Sequence, residues 1–193
     1  MKKIGVALLG LGVVGGGTYE ILTTKRDYIR ANDGIDVEVK AVLERNEVRI
    51  KELSIDPTIV AKDIEEIVSN PDIHVVAEFF GGVEPARTFL LKALENGKSI
   101  VTANKEMFSK SWPDLEKAAK KGGAGLYFEA SCVGGVPIIR TSEEKWQIFL
   151  PTMTTKPPFS KGRFGGNVTQ WRSLLRVIID EVALSSIKCL VRE

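Results

Sequence analysis

The run Ile4–Leu9, followed by Gly10, Gly12 and Gly15, constrains this chain more than any other feature. The run is long enough for one buried strand, and the glycines are spaced G-x-G-x-x-G ahead of Thr18–Leu22, which reads as helix. Each glycine has its own reason to be there. Gly10 permits a tight turn out of the strand, Gly12 lets a pyrophosphate approach the backbone, and Gly15 lets helix and strand pack closely. Helical N–H groups without partners, and the positive end of the helix dipole, then face the phosphates. Gly10, Leu11, Gly12, Val13, Val14 and Gly15 are therefore the candidate dinucleotide loop. A glycine-rich turn without a ligand is the alternative, and the strand-before, helix-after context argues against it.

The 193 residues suffice for one ordinary domain, and 44% hydrophobic with 27% charged residues is a globular composition. A net charge of +2 gives no reason to expect nucleic acid or an anionic membrane as partner. No apolar stretch reaches the length of a membrane span, and Met1-Lys-Lys leads straight into the first strand instead of a signal peptide. Cys132 and Cys189 lack any metal or redox spacing, which suits a reducing cytoplasm. His74, the single histidine, reads as a residue at the entry to a strand.

Strands and helices alternate through the next hundred residues. Lys25–Asp36 is polar and ends in Asn32–Asp36, a loop by its turn residues, and Val37–Leu43 reads as a second strand. Glu44 and Arg45 stand at its end, where the adenosine ribose lies in a dinucleotide fold. A carboxylate there accepts from the 2′-hydroxyl of NAD, and an arginine pairs with the 2′-phosphate of NADP. Both are present, so the residues leave the choice open; a solvated charge pair starting a helix is the plainer reading. Asp63–Asn70 reads as a capped helix, Ile73–Phe80 as a buried strand tipped by Gly81 and Gly82, and Pro85–Asn96 as a helix stopped by Gly97. Lys98–Thr102 is a strand ending in Ala103–Glu106, Pro113–Lys120 a helix, and Leu126–Glu129 a further strand. This alternation predicts an α/β fold, a Rossmann-type, doubly wound, mostly parallel sheet with right-handed crossovers. In such a sheet the glycine loop, Glu44–Arg45, Gly81–Gly82, Thr102–Lys105 and Glu129 gather at the carboxyl edge of the strands.

Four longer blocks carry a resemblance. Gly10–Gly17, Glu78–Ala86, Gly97–Glu106 and Tyr127–Ser131 with Gly134–Ile139 closely resemble the homoserine dehydrogenases, and the match runs to about Thr141. The resemblance implies an NAD(P)-dependent oxidoreductase interconverting aspartate 4-semialdehyde and homoserine, a step shared by threonine and methionine biosynthesis. It implies a nicotinamide site built from the glycine loop, with Gly81 and Thr102 at the same edge. Lys105 is then the catalytic candidate, near the nicotinamide and the reacting carbonyl, where a lysine can hydrogen-bond a developing alkoxide or relay a proton. Arg45 falls where NADP-preferring members carry a phosphate-binding arginine, which favours NADP over NAD. The family also binds a monovalent cation, usually sodium, near the segment matching Glu129, Cys132 and Gly134. Here Cys132-Val133 replaces the family's small residue and glycine, and Cys132 itself reads as a small buried hydrophobe. Family members are usually dimers or larger.

Residues 1–141 are thus expected to form an NAD(P)-binding domain and 142–193 a tail unmatched to the family's second part. In the tail, Ser160–Gly166 reads as a linker and Trp171–Val191 as one helix. An out-of-frame or mis-spliced continuation is the favoured explanation of the tail, and a genuine truncated relative the other. Either way the chain is expected to bind cofactor, to transfer hydride poorly, and to be poorly soluble through exposed apolar surface. Two other functions fit the residues: a non-catalytic NAD(P)-binding module, and another Rossmann oxidoreductase acting on a small carbonyl. An aldehyde-oxidising enzyme would need a cysteine paired with a histidine, which the lone His74 does not offer.

Overall fold

β1 (Lys2–Leu9) is apolar on both faces and therefore occupies the middle of the sheet. Its side chains alternate: Ile4, Val6 and Leu8 enter one core and Ala7 and Leu9 the other, as the two-residue period of a strand requires. The structure, a computed structural model, describes residues 2–128 and Ser131. Among these, β1 is followed by α1 (Val13–Thr24), α2 (Arg26–Asp33), β2 (Ile35–Leu43), α3 (Glu47–Glu52), a 3-10 turn (Pro57–Ile59) and α4 (Ile64–Ser69). Then come β3 (Val75–Glu78), α5 (Ala86–Glu95), β4 (Ser99–Thr102), α6 (Lys105–Gly122) and β5 (Leu126–Tyr127).

All pairings are parallel, in the order β2-β1-β3-β4-β5. One further bridge, Val60 with Val42, and the bond from Ala61 N–H to the Val42 carbonyl at 2.8 Å, place one extended residue outside β2. With that residue counted as a vestigial strand, the order is that of the dinucleotide-binding fold. The chain winds away from β1 in opposite directions through β2 and β3, so the crevice where strand order reverses opens between the ends of β1 and β3. One face is covered by α4, α5 and α6 through Ile67, Leu90, Leu94 and Leu115, and the other by α1 and α2 through Leu22 and Ile29.

Four elements depart from the sequence reading. The loop expected at Asn32–Asp36 shrinks to a single turn residue, because α2 fills the polar stretch as far as Asp33 and β2 begins at Ile35. Tertiary contacts override the weak local signal. Arg26 Nε and Arg30 Nη2 both donate to Asp36 Oδ1, at 2.7 and 2.9 Å, and Ile29 is buried beneath them. α6 starts at Lys105, not Pro113, because Asn104 caps it by accepting from the Met107 N–H at 3.1 Å. Pro113 lies inside that helix, whose buried face runs Met107, Ser111, Leu115, Ala118 and Ala119. The expected strands Ile73–Phe80 and Leu126–Glu129 shorten to Val75–Glu78 and Leu126–Tyr127. His74 does sit at the entry to β3, where its Nδ1 accepts from the Gly5 N–H at 3.0 Å.

Candidate cofactor site

The glycine loop leaves β1 at Gly10, whose φ of +88° is a left-handed conformation that favours glycine. A Cβ on Gly15 would lie 1.9 Å from the Gly10 carbonyl oxygen, so only glycine lets α1 sit this close to the strand end. Gly12 differs. A Cβ there would meet nothing within 4 Å, and the residue is exposed on the open side of the loop. Gly12 is also the N-cap of α1, no side chain caps that end, and no acidic residue lies in its first turn. Its first N–H groups are thus free of competing side-chain acceptors, the arrangement an incoming anion uses. Leu11 is buried, Val13 is 58% exposed, and Val14 packs against the core on the α1 side.

The end of β2 is tied to this loop. Glu44 Oε2 accepts from the Leu11 N–H at 2.6 Å, and Oε1 accepts from the N–H groups of Arg45 and Asn46 at 2.8 and 2.9 Å. Burial pushes the Glu44 carboxyl up. The backbone donors at Asn46, Leu11 and Arg45, and the charge of Arg49, outweigh that and hold it below its ordinary value. Arg45 is exposed and has no side-chain partner among the described residues. Arg49, in α3, donates from Nε to the Leu11 carbonyl at 3.0 Å and pairs with Glu52 at 2.7 Å. A Cβ on Gly16 would lie 2.7 Å from its Nη2, so the guanidinium rests on the first turn of α1. Two cations therefore border the loop where the sequence reading had one.

Across the crevice, β3 ends in Glu78, which is fully buried. Its Oε2 accepts from Thr102 Oγ1 at 2.5 Å and its Oε1 from the Phe80 N–H at 2.7 Å and, at a longer 3.4 Å, from Asn104 Nδ2. Burial raises the carboxyl above its ordinary value, against the opposing pull of the Thr102 hydroxyl, the Phe80 N–H and the Asn104 amide. Asn104 Nδ2 also donates to the carbonyls of Gly82 at 2.6 Å and Phe80 at 3.1 Å. Lys105 follows as the first residue of α6, exposed and without a side-chain partner among the described residues. Gly81 and Gly82 are exposed on the loop that Asn104 holds, and Thr102 is buried beneath it.

The fold thus gathers the glycine loop, Arg45, Gly81, Thr102 and Lys105 at one sheet edge. Glu129, Cys132 and Gly134, the expected sodium ligands, lie outside the described residues, as do the linker and helix expected in 142–193. Arg49, Glu78 and Asn104 were not singled out from sequence. Asn104 was legible in principle as an N-cap asparagine before Lys105 and Glu106, and Glu78 as a carboxylate ending an apolar strand.

The residues present fit a dinucleotide: the loop is open at Gly12, tight at Gly15 and uncapped at the helix, and cations flank it. Comparison with known proteins agrees. Residues 10–129 match the family model described as homoserine dehydrogenase, NAD binding domain. The homoserine dehydrogenase of Bacillus subtilis (strain 168) is 38% identical over 144 residues, which cover 75% of this chain and 33% of that protein. A homoserine dehydrogenase structure from Thiobacillus denitrificans superposes with a TM-score of 0.67 at 38% identity, again over 75% of this chain and 33% of the other. A hyperthermophilic archaeal homoserine dehydrogenase, solved in complex with NADPH, superposes with a TM-score of 0.57 at 25% identity over 71% of this chain and 47% of its own. The chain spans about a third of the length of the curated relatives it matches. No helix among the described residues is long and apolar enough to cross a membrane. The chain belongs to the homoserine dehydrogenase family and carries that family's NAD-binding domain at its N-terminal end.

Proposed function

We propose that residues 1–141 bind NADPH and form the cofactor half of a cytoplasmic homoserine dehydrogenase, which interconverts aspartate 4-semialdehyde and homoserine for threonine and methionine biosynthesis. The carrying observation is the contrast between Gly12, open to an approaching group, and Gly15, closed against Gly10. The loop Gly10–Gly15 holds the pyrophosphate on the α1 N-terminus. Arg45, exposed and unpaired among the described residues, takes the 2′-phosphate, which favours NADP over NAD. The complex of the archaeal relative with NADPH supports the same choice.

Bound here, the cofactor supplies or accepts a hydride. Gly81 and Thr102 border the nicotinamide end, and Lys105 donates a hydrogen bond to the oxygen of the reacting carbonyl. Sodium at Glu129, Cys132 and Gly134 stays part of the proposal by resemblance. By the family resemblance, the homoserine-binding part is expected outside the matched third of the relatives. This chain by itself is therefore proposed to bind cofactor well and turn over slowly, because positioning the second reactant supplies much of the rate. Residues 142–193 are proposed as a segment separate from the cofactor unit, and assembly into homo-oligomers follows the family.

The test is NADP-dependent oxidation of homoserine followed at the nicotinamide absorbance, alongside direct NADPH titration. Saturable binding with slow, homoserine-dependent reduction supports the proposal; absence of binding contradicts it. Saturable binding with no homoserine-dependent turnover would instead select a non-catalytic NAD(P)-binding module.

A further inference from the structure

We propose that Glu78 is a positioning residue that sets the nicotinamide half of the cofactor site by locking the Phe79–Gly82 loop to the start of α6. It rests on the cofactor reading above and adds a residue to which that reading gives no role.

Glu78 stands where three pieces of the crevice wall meet. Its carboxylate receives the Thr102 hydroxyl from the end of β4, the Phe80 N–H from the loop after β3, and the Asn104 amide from the cap of α6. Asn104 extends the lock on the same loop through the carbonyls of Phe80 and Gly82, and on α6 through the Met107 N–H. Thr102 Oγ1 in turn accepts from the Asn104 N–H at 3.0 Å, and the Thr102 carbonyl accepts from Ser131 Oγ at 2.7 Å. Gly81 and Lys105, the exposed groups at this end of the crevice, hang on opposite sides of the same network.

A stability role alone accounts poorly for a carboxylate here. Glu78 is fully buried and has no ion-pair partner among the described residues, and an unpaired buried carboxylate carries a desolvation cost that an apolar side chain would avoid. What only a carboxylate provides at this position is two acceptor oxygens with no donor of its own, facing three donors from three segments. Glutamine keeps the shape but must point its amide at one of them. The Phe80 N–H cannot rotate away, so the amide must face Thr102 Oγ1, whose hydrogen then needs another acceptor. Glu78→Gln should therefore fold while loosening the register between β4, α6 and the Phe79–Gly82 loop. The Phe79 and Phe80 rings approach Gly15 and Gly10, but the glycine loop is held independently by Glu44 and Arg49 from the β2 side, where Arg45 also stands, so that side should change far less.

The experiment compares two ligands on the full chain: NADPH, and 2′-phospho-ADP-ribose, which lacks nicotinamide. In Glu78→Gln, and in Glu78→Leu where it folds, NADPH affinity should fall about tenfold, and the emission spectrum of bound NADPH should shift towards that of the free cofactor. Affinity for 2′-phospho-ADP-ribose should stay within about twofold of the parent chain, because the glycine loop and Arg45 keep their own ties to the end of β2 through Glu44 and Arg49. Equal loss of both ligands would reduce Glu78 to a structural residue and overturn the proposal. Unchanged NADPH affinity and emission in Glu78→Gln would also overturn it. Failure of the parent chain to bind either ligand would instead refute the cofactor reading, and this proposal with it.

Discussion

Glu44 Oε2 accepts a hydrogen bond from the backbone N–H of Leu11 at 2.6 Å, joining the end of β2 to the glycine loop that follows β1. The carboxylate that sequence placed near the ribose thus also shapes the loop, since its other oxygen accepts from Arg45 and Asn46. Glu44→Ala should leave three backbone donors seeking water, cost about 1–2 kcal/mol of stability, and weaken NADPH binding about tenfold. Chemical denaturation and cofactor titration of the same variant check both numbers. Unchanged stability and affinity would mean that the contact is incidental.

Two glycines of one motif should behave oppositely in a melting experiment. Gly15→Ala forces a methyl to 1.9 Å from the Gly10 carbonyl oxygen and should destabilise the domain by about 3 kcal/mol. Gly12→Ala meets nothing within 4 Å and should change stability by less than about 1 kcal/mol. Equal melting temperatures for the two variants would show that the packing between α1 and β1 is not as tight as the geometry has it.

Arg45 discriminates between the two nicotinamide cofactors if it takes the 2′-phosphate. Arg45→Ala should weaken NADPH by about tenfold or more and leave NADH within about twofold. Parallel titrations with both cofactors read this directly, and a loss common to both would move the discrimination elsewhere, with Arg49 the next candidate.

Acid stability should depend on Asp36. The hydrogen bond from Arg26, with Arg30 beside it, holds this carboxyl at about 2, against 3.8 for a free aspartate. A lowered folded value means that the stabilisation is fully present above the unfolded value and is lost as pH falls through about 2. Asp36→Asn should remove about 1–2 kcal/mol at neutral pH, a range discounted for solvent around the guanidiniums, and should flatten the decline between pH 5 and 2. Urea midpoints measured across that range test it; a variant whose decline parallels the parent chain would rule out the Asp36 contribution.

The parts of the fold that sequence revealed are those whose signal is local. Buried parallel strands read as apolar runs, and the turn at Gly10 and the close helix–strand approach at Gly15 are both met by the observed backbone. What stayed hidden depends on partners distant in sequence. Nothing in Arg26–Asp33 announces a helix until Arg26 and Arg30 converge on Asp36, in the next strand. The start of α6 is masked by Pro113, which resembles a first-turn proline until Asn104 is seen capping a helix that begins at Lys105, eight residues earlier. Thr58-Ile59-Val60 has the β-branched residues of a strand, yet a single bridge to Val42 is all the strand Val60 forms. On the site, Arg45 and Lys105 are candidates from position and resemblance, whereas Arg49 acquires meaning only through the Leu11 carbonyl it meets across the fold, and Glu78, a strand-end carboxylate in sequence, through the Thr102 hydroxyl.

Titration calorimetry of the chain with NADPH, run beside Gly12→Ala, bears most directly on whether this is a cofactor-binding unit. Binding should be saturable with one site per chain in the parent and at least about tenfold weaker in Gly12→Ala, at an unchanged melting temperature, because the added methyl occupies the path of the pyrophosphate and touches nothing else. No binding by the parent chain, or equal binding by the two, would contradict the assignment of the glycine loop as the nucleotide site.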